Sequence, residues 1–334
     1  MAENSKLKLL YILDIMKKTD EYHPLNSTQI EAKLQAYGVS AERKSIGRDL
    51  QCLEDAGYSI IKCTDHNKGW YMTDQTFEDY ELKILCDAVG AAPFLTEKDT
   101  RELVKKVRSL ATEEGENLIA AATYTDSTIK TDDTGNKIKI DLITRAIKAK
   151  KKITFQYMEM GPGNKMQLKR DGHTYCLSPY YLVLHEHQYF LIGNSQSNDG
   201  LTHFKLEKLV NLHMTQEDAR NPELLPEHGR NFDLGEYLRS SPNMWGGEKQ
   251  HVKLRGRNYI RDDLRRHFVK NLILSDDGPD HFIVSVEVAD NTGLYQWLAE
   301  NGTNIQVLSP DSVKQHYLNY LHAILNQYTN EEDL

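Results

Sequence analysis

The spacing of apolar residues changes partway along the chain, and that change limits the fold more than any other feature. Up to Ala149 apolar side chains return mostly every three or four positions, the spacing of amphipathic helices. From Lys152 onward they return every second position, in short runs separated by turns such as Gly161-Pro162-Gly163-Asn164 and Ser197-Asn198-Asp199-Gly200. A chain that is helical first and sheet-rich later must build its cores separately, and 334 residues are too many for one. The expected fold class is a multidomain α+β protein.

Composition narrows the setting. Hydrophobic residues make up 39% and charged residues 27%, ordinary for a soluble protein, and no stretch has the apolar length of a membrane span. Met1 to Lys8 lacks the apolar centre of a signal peptide. Cys52, Cys63, Cys86 and Cys176 lie far apart with no C-x-x-C pair, which favours free thiols in a reducing compartment over disulfides or zinc. A cytoplasmic location is expected, with no membrane partner and no cofactor. The net charge of −8 counts mildly against a nucleic-acid binder, yet a whole-chain figure does not report how charge is distributed.

Leu9, Ile12, Leu13 and Met16 repeat at helical spacing until His23-Pro24-Leu25 interrupts them. Asn26 followed by Gln29 is a capping-box pair for a second helix, with Ile30, Leu34 and Tyr37 on one face and Gly38 at its end. After a short turn, Ser40 is positioned to cap a third helix with Ile46, Leu50 and Leu53 on its apolar face. The opposite face carries Arg43, Lys44, Ser45, Arg48 and Gln51, and Gly57 ends the helix. Two extended runs, Tyr58–Cys63 and Trp70–Met72, flank Asp65-His66-Asn67-Lys68-Gly69 as a hairpin. Three helices, a tight turn and a hairpin give the order of a winged helix-turn-helix over residues 1–75. Such a module sets its third helix in the major groove. The donors of that polar face would then meet bases and phosphates, while Lys62 and Lys68 would touch backbone from the wing. The same residues would also serve as the solvated face of a small interaction domain, and residues 1–72 carry equal numbers of acidic and basic side chains.

Val39 to Leu50, followed by Gly57-Tyr58, resembles the "S-x-R-T-I-x-R-D-L" recognition helix of DeoR-like and WYL-family regulators. That resemblance puts Arg43, Ser45 and Arg48 on DNA-facing positions. Gly47 departs from it, since an aromatic or larger residue is frequent there.

Residues 76–137 read as a helical linker. Tyr80, Ile84, Leu85 and Ala88 form one face and Leu103, Val104, Val107 and Leu110 another, with Pro93 and a Thr96 cap between two helices. Thr123–Lys137 breaks down into turn-forming residues. After a short helix at Lys139–Ala149, strands are expected at Ile153–Met158, Tyr175–Leu184, Gln188–Gly193 and Thr202–Leu206, as in a small barrel. The runs Ser178-Pro179-Tyr180-Tyr181-Leu182-Val183, Gln188–Gly193 and His203–Leu209 make residues 138–220 resemble a WYL domain, an Sm-like β-barrel. The Trp-Tyr-Leu that names the domain is Tyr189-Phe190-Leu191 here, and its closing "R-x-D-R-I" is Lys205-Leu206-Glu207-Lys208-Leu209. The resemblance implies a pocket for a nucleic-acid fragment or nucleotide-like effector, where aromatic rings stack on bases and cations hold phosphates. The candidates are Tyr157, Tyr175, Tyr189, Lys205 and Lys208, with His173 and His203 behind them.

Residues 221–247 read as a connector around Phe232, Leu234 and Trp245. Beyond it the order is strand His251–Leu254, helix Asn258–His267, strands Asn271–Leu274 and His281–Val288, helix Thr292–Asn301, strand Asn304–Leu308 and a last helix. That is the β-α-β-β-α-β order of a ferredoxin-like domain. Leu294–Gly302 and Val307-Leu308-Ser309-Pro310 make residues 248–334 resemble the C-terminal extension that follows WYL domains. Arg255, Arg257, Arg261, Arg265 and Arg266, near Lys253 and Lys270, form either a second nucleic-acid surface or a solvated face paired with Asp262 and Asp263.

No catalytic constellation is visible. Gly161–Lys165 lacks the G-K-[ST] ending of a phosphate loop, and His185-Glu186-His187 lacks the one-turn spacing of a helical zinc site. The expectation is a dimeric, ligand-responsive transcription regulator that binds a palindromic operator and is not an enzyme. The alternatives are an accessory protein binding nucleic acid to regulate a nuclease or helicase partner, and a nucleotide-processing enzyme.

Overall fold

The computed structural model describes residues 2–64, 68–123, 130–185, 187–195, 200–225, 232–240, 249–268, 272 and 274–329. Residues 65–67 of the expected hairpin turn, 197–199 of the later turn, Glu186, Trp245, Lys270, Asn271 and the Arg266 side chain lie outside the description. Two compact units divide the chain, Met1–Lys137 and Ile138–Leu334.

In the first unit, α1 (Ala2–Met16), α2 (Ser27–Ala36) and α3 (Arg43–Asp55) precede a hairpin of β1 (Ile60–Cys63) and β2 (Gly69–Met72). Ile12, Ile15 and Met16 from α1, Ile30 and Leu34 from α2, Ile46, Leu50 and Leu53 from α3, and Ile60 and Met72 from the hairpin make one buried core. The capping box forms as the spacing predicts: the Asn26 side chain accepts from Thr28 and Gln29 amides, and the Asn26 amide donates to Gln29 at 2.8 Å. Two details differ. Tyr37 is exposed and stacks on Tyr11 at 4.5 Å between ring centroids rather than joining the core. Ser40 does not cap α3, whose N-cap is Glu42, because the turn continues until Ala41 is buried.

The linker holds α4 (Asp79–Gly90), α5 (Glu97–Arg108) and α6 (Glu113–Ala122). Thr96 and Thr112 cap α5 and α6 through Asp99 and Gly115 amides. The second of these caps splits in two what the periodicity reads as a single helix. Leu82, Cys86, Ala111 and Ile119 form the linker's buried apolar core. Tyr80 and Ile84, expected to face inward, are 65% and 61% exposed. The linker is fastened to the helical core before it by Lys18, which donates to the Ser109 and Ala111 carbonyls, and by a Lys33–Glu113 ion pair at 2.6 Å.

α7 (Asn136–Ala149) leads into the second unit. There β3 (Lys151–Met160), β4 (Met166–Leu168), β5 (Thr174–His185), β6 (Gln188–Ser195), β7 (Thr202–Lys205) and β8 (Leu209–Asp218) form one antiparallel sheet among the described residues. Its order is β4-β3-β5-β6-β7, with β8 also paired to β3. The expected barrel is not closed: β7 pairs with β6 and β8 with β3, and among the described residues no ladder joins β7 to β8. A short 3₁₀ turn at Leu206–Lys208 separates them instead. Phe155, Ile153, Leu177, Leu191 and Leu209 pack with Ile143 and Ala146 of α7. A register shift between Pro179 and Tyr181 marks a bulge, and Tyr180 turns into a second core with Phe190, Ile192, Leu225 and Tyr237.

Tyr237 belongs to α8 (Leu234–Ser240), a helix inside the expected connector. Then follow β9 (Lys249–Arg257), α9 (Arg261–His267), β10 (Leu274–Asp277), β11 (His281–Ala289), α10 (Thr292–Asn301), β12 (Ile305–Ser309) and α11 (Asp311–Thr329). The antiparallel sheet runs β10-β11-β9-β12, so each strand pair linked through a helix has a strand of the other pair between its members. Val252, Leu254, Phe282, Val284, Trp297 and Leu298 fill its core.

Candidate functional site

The first candidate surface is the outer side of α3. Burial of Ile46, Leu50 and Leu53, each about 2 kcal/mol when fully removed from water, fixes which side of the helix faces away from the core. Lys44, Arg48 and Gln51 follow one another at one-turn spacing on that side and are exposed. Arg43 is exposed at the first turn, 3.8 Å from Glu31 of α2, and Gln51 donates to Asp55 at 3.2 Å. Ser45 is placed differently from the other candidates. It accepts from the Lys8 ammonium, which also pairs with Asp49 at 2.7 Å, so Ser45 and Asp49 lock α3 to α1. In the hairpin Lys62 is exposed opposite Trp70 and lies over its ring at 5.5 Å, and Lys68 is exposed just before β2. Gly69 is required where it stands, since a Cβ there would come 2.6 Å from the Leu25 carbonyl carbon. That close approach lets Leu25 and Trp70 exchange two backbone hydrogen bonds at 2.9 Å, holding the hairpin to the helices.

The second candidate is a cleft of about 440 Å³ at the start of β5 and the edge strand β7. His173, Tyr175 and His203 line it, joined by Lys169, Arg170, Thr202 and Phe204, which the motifs did not single out. Tyr175 meets Phe204 edge-on at 5.4 Å and His173 at 4.9 Å. The basic rim is held by its backbone. Arg170 and Asp171 adopt φ of 52° and 51°, a left-handed conformation that costs a non-glycine residue about 1–3 kcal/mol. Gln156 fastens this turn by donating to the Gly172 carbonyl at 2.6 Å, and Asn211 in turn donates to Gln156 at 2.5 Å. The run Lys169-Arg170-Asp171-Gly172 was the available signal, two cations just before a turn-forming Asp-Gly pair.

The remaining aromatic and lysine candidates do not line this cleft. The Tyr157 ring packs edge-on to Tyr175 and Phe204, and its hydroxyl accepts the Lys205 amide at 3.2 Å. Burial pushes that hydroxyl's pKa up, against the smaller opposing effect of the amide. Tyr189 packs against the Phe155 core, and the Lys205 ammonium sits 5.8 Å over the Phe190 ring. Lys208 lies half-buried in the 3₁₀ turn. The His203 Nε2 is 3.0 Å from the Tyr237 hydroxyl, which ties β7 to α8.

Two arginines of the C-terminal cluster are engaged within their own sheet. Arg255 pairs with Asp277 and Arg261 with Asp276, each at 2.5 Å, so β10 supplies the carboxylates for these two arginines. Arg261 also stacks 5.3 Å over Phe282, while Arg257 and Arg265 are exposed. Among the described residues no group of three or more His, Cys, Asp or Glu is arranged to hold a metal ion. No helix of the described residues is long and apolar enough to cross a membrane.

Solved structures similar to this chain are distant. Proteasome accessory factor B/C (PafBC) of Arthrobacter aurescens is 15% identical over 97% of this chain and 49% of its own, with a TM-score of 0.28. The chain thus spans about half the length of that protein. A CRISPR Cas-related protein is 14% identical over 98% of this chain and 86% of its own, with a TM-score of 0.39. No curated protein matches. Within the chain two domains are recognised: residues 139–214 match the WYL domain and residues 248–325 the WCX domain.

Proposed function

We propose that this chain is a DNA-binding transcription regulator: its N-terminal helices and hairpin act as a winged helix on a palindromic operator, as a homodimer, and its WYL domain binds an effector. The observation that carries the reading is the exposed row of Lys44, Arg48 and Gln51 on α3, a helix whose other side is anchored in a core and beside which Lys62 and Lys68 project from the hairpin. A helix so held presents cations and an amide in a fixed arrangement, as major-groove readout requires. The effector is single-stranded nucleic acid or a nucleotide, taken by the cleft of Lys169, Arg170, His173, Tyr175 and Phe204, which offers cations for phosphate and rings for a base.

The test is a mobility shift of the full chain on its own upstream DNA across a salt series, beside a Lys44→Ala/Arg48→Ala variant. The reading expects a sequence-selective shift that the variant loses, with the salt slope shallower by about one for each phosphate contact removed. The equal numbers of acidic and basic side chains in residues 1–72 favour a second reading, an accessory protein that binds nucleic acid to regulate a nuclease or helicase. There the same variant keeps all nucleic-acid binding, and Lys169→Ala/Arg170→Ala loses it.

A further inference from the structure

One helix of the linker has two apolar sides. α4 turns Leu82, Cys86 and Gly90 inward, where Leu82 and Cys86 pack with Ala111 and Ile119. Directly away from them, Tyr80, Ile84 and Ala88 follow one another at one-turn spacing, and all three are exposed. Ala91, the residue that caps the helix, continues the row and is exposed as well. An outward row without a charge is the reverse of what a solvated helix presents, since the side away from a core is normally polar.

The row fits a copy of itself. It is bulky at its start, with Tyr80, and small at its end, with Ala88 and Ala91. Set antiparallel on a second α4 about a two-fold axis beside Ile84 and Leu85, the Tyr80 ring of each helix meets the alanines of the other, and Ile84 meets Ile84. A parallel pair would put ring against ring at one end and leave a gap at the other. The charges obey the same two-fold. Lys83 and Asp87 border the row on one side, paired within the helix at 2.5 Å and both partly exposed. Turned by the axis, Lys83 of one copy comes opposite Asp87 of the other. The two internal pairs then join into a ring of alternating charge without giving up a contact. On the other border Leu85, 40% exposed, stands opposite itself. Glu81, the acid on that border, is turned back to accept the Glu78 amide at 3.0 Å.

We propose that α4 is the homodimer interface of this chain, its outward row packed antiparallel on the same row of a second copy. This inference rests on the homodimer of the regulator reading and names its interface. Because α3 lies in the same compact unit as α4, the two-fold axis also relates the two α3 helices, as a palindromic operator requires. One helix per copy covers less area than a permanent dimer buries, so association should depend on protein concentration.

The experiment is sedimentation velocity of the full chain without DNA over a concentration series, for the parent, Lys83→Asp and Asp87→Lys. The first variant carries two acids on that border and the second two lysines. Each should raise the dimer dissociation constant about tenfold or more, through like-charge repulsion across the axis. Mixed in equal amounts, the two should form a heterodimer as tight as the parent's dimer, since every acid then faces a lysine. A purely structural effect of either substitution gives no such rescue. Ile84→Glu, at a position 61% exposed, should abolish the dimer with its thermal midpoint unchanged. A parent that stays monomeric overturns the proposal, and so does a dimer that ignores Ile84→Glu or a mixture that shows no rescue. The mobility shift separates this failure from that of the regulator reading: a dimer indifferent to the α4 variants that still shifts operator DNA loses the interface and keeps the regulator.

Discussion

At the residue scale two glycines of the N-terminal unit behave in opposite ways. Gly47 lies inside α3 with nothing within 4 Å of where a Cβ would stand. Gly47→Ala should therefore stabilise the chain by about 1 kcal/mol, the helix-propensity difference between the two residues, as measured by denaturant unfolding. Gly69 faces the Leu25 carbonyl carbon at 2.6 Å from its would-be Cβ. Gly69→Ala should destabilise by about 2–3 kcal/mol, since the Leu25–Trp70 pairing must open to admit the methyl group. Equal effects from the two variants would mean that the hairpin is not seated against Leu25 as described. Both glycines are plain in the sequence, but only the three-dimensional approach of residue 25 to residue 69 separates them.

At the scale of elements, Asp99 of α5 holds Lys137, the last residue of the first unit. Its carboxylate accepts from Lys137 at 2.6 Å and from the Thr96 hydroxyl at 2.9 Å, while its own amide caps on Thr96. The Lys137 hydrogen bond, followed by that of Thr96, holds the carboxyl below its ordinary value. A folded-state pKa lower than the unfolded one means that this contribution is complete above the ordinary carboxylate range, near pH 4, and is lost as pH falls through the folded value. The stability difference between parent and Asp99→Asn should accordingly be present at pH 7 and vanish on acidification to about pH 2. A difference that persists unchanged in acid would place the effect in packing. The Thr96 cap was legible from its residue type, and the Lys137 partner was not, because nothing in local spacing pairs residues 99 and 137. The α4 stripe was misread for a related reason. Apolar residues cover more than half its circumference, and periodicity does not say that Leu82 and Cys86 are buried while Tyr80 and Ile84 are exposed.

For the whole molecule, the proposed function requires that two binding events be coupled, and coupling is reciprocal by thermodynamic necessity. If a single-stranded oligonucleotide changes operator affinity by some factor, operator DNA must change oligonucleotide affinity by the same factor. Isothermal titration in both orders should return one number, and Lys169→Ala/Arg170→Ala should bring it to about one while leaving operator binding in the absence of oligonucleotide intact. An oligonucleotide that binds without altering operator affinity would remove the effector role from the cleft. The net charge of −8 sets the other expectation at this scale. On the proposed reading, attraction to DNA comes from the exposed cations of α3 and the hairpin rather than from the chain as a whole, so added salt should weaken binding by an amount that tracks those few contacts.

The sequence by itself determined most of the order of elements, the α5–α6 break, α8, β4 and β8 excepted, because backbone geometry turns apolar spacing into helix or strand locally and caps such as Asn26 and Thr96 act over three residues. It also marked the outward residues of α3, since Ile46, Leu50 and Leu53 leave only one side for Lys44 and Arg48. Tertiary structure alone decided what depends on residues distant in the chain. It engaged Ser45 with Lys8, joined Arg255 and Arg261 to Asp277 and Asp276, and kept the sheet open between β7 and β8. It also gathered Lys169, Arg170 and His173 with His203 and Phe204 around one cleft. Such meetings are set by strand register and by which core each helix covers, and both are properties of the assembled chain rather than of any window along it.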